Sequence, residues 1–157
     1  MAAAVVTAAS EATERWFYGG GIHRWLVMNE DTDGAFFLHE EVLEGGKSTP
    51  LHTHPAIETM IVLEGAILMH ISGRESRVEA GGVAVAPAGE PHAFHVLTDT
   101  ARLLCLHTPG TCQAFYLEAS TPLDDHTERC VDFDRVRSAA TATGGMTIVG
   151  PPPFLGR

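Results

Sequence analysis

Positive charge is scarce in this chain of 157 residues: ten basic residues, of which Lys47 is the only lysine, stand against 20 acidic ones, for a net charge of −10. The arginines are scattered singly, so no basic stripe offsets a surface that repels phosphate backbones and anionic lipid. Nucleic acid and membrane are thereby excluded as expected partners, and a small molecule is favoured. Cysteine is equally sparse. Cys105, Cys112 and Cys130 are odd in number and lack CxxC spacing, which argues against a disulfide framework or zinc knuckle and for a reducing, cytoplasmic setting. No apolar run approaches the roughly 18 residues of a membrane span, and residues 1–10 lack the basic start of a signal peptide. Charged residues are only 19% and hydrophobic ones 45%, enough for a core and too little charge for disorder. The length fits one domain.

Turn residues, by contrast, are plentiful and evenly spread. Sixteen glycines and nine prolines separate short apolar runs: Ile22 to Met28, Ala35 to Leu43, Thr59 to Leu63, Ala66 to Ile71, Val83 to Ala86, Ala93 to Leu97 and Arg102 to His107. Strand-length runs at this spacing predict an all-β fold of consecutive antiparallel strands, a sandwich or barrel, over about residues 20–110. Residues 1–19 read as an N-terminal arm whose first 15 residues are either a frayed helix or disordered. Residues 111–157 read as a helical and extended appendage. Within it, Thr121-Pro122 is expected to open one helix, Asp132 or Asp134 another that ends at Gly144-Gly145, and Gly150 to Pro153 must be extended.

His52 and His54 lie two apart, so an extended backbone projects both imidazoles from one face. Pro55 biases His54 toward that geometry. Glu58 opens the next strand, and His92 follows the rigid turn Pro87-Ala88-Gly89-Glu90-Pro91, which delivers a fourth donor from elsewhere. Three nitrogens and a carboxylate suit one divalent transition metal. These residues also carry a resemblance. Gly46, five residues, His52-Thr53-His54, three residues, Glu58, six residues, Gly65 matches the first motif of the cupin superfamily at every position. Gly81, five residues, Pro87-Ala88-Gly89, two residues, His92, three residues, Val96 matches the second motif except at Val96, where the motif has Asn.

The resemblance implies a cupin double-stranded β-helix, a jelly-roll barrel of six to eleven strands followed by short helices. It also implies one metal ion per chain on His52, His54, Glu58 and His92. Four protein donors leave two positions of an octahedral ion open but would close a tetrahedral zinc site, so Fe, Mn, Co or Ni is favoured, with Zn as an alternative. The texture around residues 34–37, 108–110 and Glu118 is similar to single-domain quercetin-dioxygenase-like cupins. That similarity implies a dioxygenase acting on an aromatic, enolic or polyketide-like substrate, with Glu58 both ligating and accepting a proton as the catalytic residue. Two other readings are a non-oxidative metal-dependent cyclase, isomerase or lyase and a binding protein without turnover.

Parity assigns the remaining candidates. Met60 and Val62 share the phase of Glu58, and Phe94 and Val96 that of His92, so these four are the expected apolar substrate pocket. Ile61 and Leu63 should point outward and need covering, which predicts a homodimer. His95 and His70 fall on outward phases and are excluded from the site. Cys105 and His107 alternate in phase, but without a nearby carboxylate they read as packed core. Asp31 and Asp33 read as a solvated turn. Trp16, Phe17 and Tyr18 read either as a lid or as a strand packed on the barrel.

Overall fold

The computed structural model describes residues 2–154 and 156. Among them twelve strands form two antiparallel sheets. The first sheet contains β1 (Thr13–Phe17), β2 (Ile22–Val27), β3 (Phe37–Glu44), β5 (Ile57–Glu64), β8 (Val83–Ala86), β10 (Thr100–Thr108) and β11 (Ser120–Pro122) in the order β11-β1-β2-β3-β10-β5-β8. The second holds β4 (Leu51–Thr53), β6 (Ala66–Ile71), β7 (Arg74–Glu79), β9 (His92–Val96) and β12 (Thr147–Gly150) in the order β12-β4-β9-β6-β7. Helices α1 (Gln113–Glu118) and α2 (Phe133–Thr143) follow the jelly-roll strands.

Side-chain alternation decides which face of each strand is buried. On β5, Met60 and Val62 are about 1% exposed, whereas Ile61 and Leu63 are 37% and 39% exposed. Facing residues Leu43, Ile67, Met69, Phe94, Val96 and Leu103 complete an apolar core between the sheets, and Cys105 is packed in it. A second core, with Phe17, Trp25, Phe37, Phe115, Val136 and Met146, lies where the helices close one end. The turn between β5 and β6 needs a residue without Cβ: Gly65 has φ +78°, and a Cβ there would run into the Thr100 carbonyl.

Three expectations are corrected. In place of a closed barrel, the strands form two open sheets, because consecutive strands such as β7 and β8 cross between sheets through the Gly81-Gly82 turn instead of pairing. No helix opens at Thr121-Pro122. Those residues lie in β11, paired with Arg15 and Trp16, at a sheet edge where the missing proline N–H costs no ladder bond, and Arg15 ties the strand down through the Ser120 hydroxyl and carbonyl. The segment read as an arm contributes a single 3-10 turn, Ala9–Glu11, and then β1. The second expected helix is present: the Asp132 carboxylate accepts from the Asp134 and Arg135 amides, Val136, Ala139 and Ala140 are buried, and Gly144 ends it in the left-handed region. Among the described residues no helix is long and apolar enough to cross a membrane.

Candidate metal centre

The four predicted donors converge. His52 sits in the three-residue β4, directly across from His92 on β9. His54 lies just beyond β4, and its carbonyl accepts from the Gly89 amide at 2.8 Å, so the turn of the second motif is bonded to the first. Gly89 has φ +78°, which a residue with a side chain rarely adopts. Glu58 stands near the start of β5. All four side chains are buried, and one donor atom from each lies within 4.8 Å of the others.

The tautomers are set by backbone. Nδ1 of His52 is 2.8 Å from the Pro50 carbonyl, Nδ1 of His54 is 2.9 Å from that of Ala56, and Nδ1 of His92 is 2.8 Å from that of Glu90. A carbonyl only accepts, so each Nδ1 carries hydrogen and each Nε2 of a neutral ring presents a lone pair. Nε2 of His54 and Nε2 of His92 each lie 3.0 Å from Glu58 Oε2. Two imidazole nitrogens at hydrogen-bond distance from one carboxylate oxygen call for a positive charge among them, a proton or a cation, and three nitrogens with one carboxylate suit a divalent cation.

Electrostatics agree. Burial pushes His52 down to about 3, so the ring is neutral and able to ligate. Burial also opposes charge on His54, but the Cys112 sulfur and Glu58 outweigh it and raise His54 to about 10. Glu58 is held well below the usual carboxylate range: burial acts against it, and His107, His54 and His92 more than offset that. A proton on His54 thus occupies the position that a cation would take.

His107 is a neighbour that local spacing missed. It pairs with Glu58 across β10 and β5, its Nε2 lies 3.6 Å from Glu58 Oε1, and the Tyr116 hydroxyl lies 3.3 Å from the same nitrogen. The ring stacks on Phe37 at 4.5 Å. Only the cross-strand register to Glu58 could have revealed it. A narrow cavity of about 40 Å³ opens at the centre, lined by His52, Glu58 and His92 together with Met60, Phe94 and Phe17. Val62 and Val96 are instead set in the apolar core between the sheets. His95 is turned away, with Nδ1 2.6 Å from the Ser48 hydroxyl and its ring against Phe154, and His70 also meets Phe154.

The model of the cupin domain matches residues 38–107, a span that includes all four donors. The chain contains a cupin domain. Among curated proteins this chain is 25% identical over 128 residues to quercetin 2,3-dioxygenase of Bacillus subtilis (strain 168), covering 78% of this chain but only 38% of that protein's length. Among solved structures it is similar to the polyketide cyclase RemF from Streptomyces resistomycificus, with a TM-score of 0.58 and 26% identity over 68% of this chain and 80% of that one. It is likewise similar to a predicted oxalate decarboxylase from Thermotoga maritima, with a TM-score of 0.58 and 25% identity over 67% of this chain and 99% of the other.

Proposed function

We propose that this cupin is a mononuclear metal-dependent enzyme that acts on an enolisable, aromatic or polyketide-like molecule, with dioxygenase chemistry of the quercetinase type as the leading reaction. The observation that carries this reading is the convergence of three backbone-oriented imidazoles and Glu58 at an otherwise largely apolar cavity. Held there by His52, His54, Glu58 and His92, a divalent ion such as Fe, Mn, Co or Ni would supply Lewis acidity and redox access. Met60 and Phe94 hold the flat apolar body of the ligand and exclude water. Flexible methionines such as Met60 and Met146 on the wall let a narrow cavity widen around it.

Glu58 Oε1 is the atom that takes a proton from the ligand. A carboxylate held below its usual range is a weak base, so it accepts only from a hydroxyl already made acidic, an enol or phenol presented at the centre. His107, beside that oxygen, steadies the carboxylate in its charged form. The test is oxygen consumption with quercetin as probe. A dioxygenase takes up one O₂ per substrate and places both labelled atoms in product. Equal turnover under argon overturns this reading in favour of non-oxidative ring closure, isomerisation or elimination, which the likeness to a polyketide cyclase over four fifths of that chain supports.

The working unit in this reading is a cytoplasmic homodimer. Cys105, Cys112 and Cys130 are all free thiols. Ile57, Ile61 and Leu63 of β5 adjoin Val83 and Val85 of the edge strand β8 in one exposed apolar face. Sedimentation should give a dimer for the natural chain and a monomer for Ile61→Lys/Val85→Lys; a monomeric natural chain at micromolar concentration rejects the dimer.

A further inference from the structure

The chain's one lysine is half-buried, at the wall of the cavity beside the candidate metal centre. Lys47 lines the cavity of the metal centre, its Nζ donating to the Gly19 carbonyl at 2.6 Å and lying 5.4 Å from the centre of the Phe17 ring. Burial pushes its ammonium down to about 8, with Glu41 opposing, so it is still mostly cationic at neutral pH. Glu41 lines the same cavity and is only 5% exposed. His39 Nε2 donates to its Oε1 at 3.2 Å, and His23 Nε2 lies 3.5 Å from the same oxygen. Both imidazoles are wedged among aromatics: His23 stacks on Phe17 at 4.6 Å, and His39 on Phe37 at 5.6 Å.

That packing fixes where the carboxylate sits. Oε1 accepts from His39, with His23 Nε2 3.5 Å away but not hydrogen-bonded to it, whereas Oε2 accepts no hydrogen bond from the described residues. Lys47 and Glu41 do not form an ion pair within 4 Å among the described residues, so neither cancels the other by contact, and two of the three ammonium hydrogens remain uncommitted. Glu41 is a buried charge with unused bonding capacity, which is costly to keep, and the half-buried Lys47 ammonium is likewise incompletely bonded. They face one narrow cavity and stand apart from Glu58: His107 lies between, its ring 5.3 Å from that of His54 and 5.7 Å from that of His39.

We propose that Glu41 Oε2 and Lys47 Nζ form a second recognition point, which binds a hydroxyl-bearing edge of the ligand remote from the oxygens presented at the metal centre. The hydroxyl donates to Glu41 and its oxygen accepts from Lys47. His23 and His39 are positioning residues for Glu41. This rests on the proposed function, since it requires a ligand whose other edge presents two oxygens to the ion, and it narrows the substrate class to rings polar at both ends.

Kojic acid and allomaltol, two hydroxypyranones with the same chelating head, test it because they differ only by a hydroxyl on the remote substituent. Each is titrated into the cobalt-loaded full chain, with the cobalt bands reporting the head and calorimetry giving the affinity. Kojic acid should bind about tenfold tighter, the worth of one hydrogen bond to a charged group. Glu41→Gln, with its metal content unchanged, should bring the ratio to within about threefold of one. Lys47→Met should do likewise, so the result does not depend on a single variant folding. Equal affinities in the natural chain overturn the second recognition point while leaving the metal-centred reading intact. If neither compound moves the cobalt bands, the metal-centred reading fails and the inference falls with it.

Discussion

Two groups of buried histidines each gather around one glutamate, and they are wired in opposite senses. At the candidate metal centre, backbone carbonyls hold the Nδ1 hydrogens of His52, His54 and His92, so Nε2 is the free atom of each ring, and the proton on His54 Nε2 is the one that an ion would displace. Around Glu41, Nδ1 of His23 and Nδ1 of His39 have no hydrogen-bond partner among the described residues, and Nε2 of His39 donates its hydrogen to the carboxylate. Both groups satisfy a distance criterion for holding a metal ion. What separates them is the atom behind each ring: a carbonyl there fixes the hydrogen on Nδ1 and leaves Nε2 as the atom that could ligate, and its absence leaves the tautomer to the carboxylate in front. Residue type and proximity are shared, while tautomer is not.

The sharpest way to break this contrast is metal content. His52→Ala or His92→Ala should weaken binding of Co²⁺ or Ni²⁺ by at least about 100-fold, seen as loss of metal after desalting, whereas Glu41→Gln and His23→Ala should retain one ion per chain. A second ion lost with Glu41 would show that both groups are metal sites. Next in size is pH. His54 is raised to about 10, so below that pH its ring carries a proton that an ion must displace; affinity should climb roughly tenfold per pH unit from 6 to 9 and level off as pH passes about 10. Competition titrations with a chelator of known proton affinity measure the slope, and a flat profile would mean that no proton is exchanged.

A smaller effect concerns stability. His39→Leu removes the donor to Glu41 and should cost about 1–3 kcal/mol in denaturant melts without touching metal content. The double change His39→Leu/Glu41→Met should recover part of that loss, because the stranded charge goes with its partner. Smallest of all, His95→Ala and His70→Ala should leave metal content unchanged, since both rings lie against Phe154 on the far side of the second sheet.

The candidate metal centre was legible because its four residues are encoded locally. His-x-His with a following Glu fixes three of them by strand parity, and a proline- and glycine-bounded turn delivers the fourth. Parity also sorted Met60 from Ile61 and His92 from His95, since a period of two is all that a two-faced strand requires. His23, His39, Glu41 and His107 lie on three strands, β2, β3 and β10, and only register across the sheet makes them neighbours. No spacing along the chain carries that register. The same limit hid β11: three residues are too few to show alternation, and a Thr-Pro pair reads as a helix start until Arg15 is seen to hold it as a strand. Val96 shared the inward phase of His92, yet parity gives the face and not the depth, and Val96 lies in the core.

The three-residue strand that carries His52 is braced on both sides, by His92 of β9 and by Ile148 of β12, which pairs directly with His52. So short a strand cannot hold its own register, and the segment that splints it comes from nearly 100 positions further along the chain. The placement of His52 in the candidate site and the docking of this late segment are therefore one mechanical linkage. Loading the centre should slow amide exchange in Thr147–Gly150, and loosening that segment should be felt first as a leaking metal and only afterwards as unfolding.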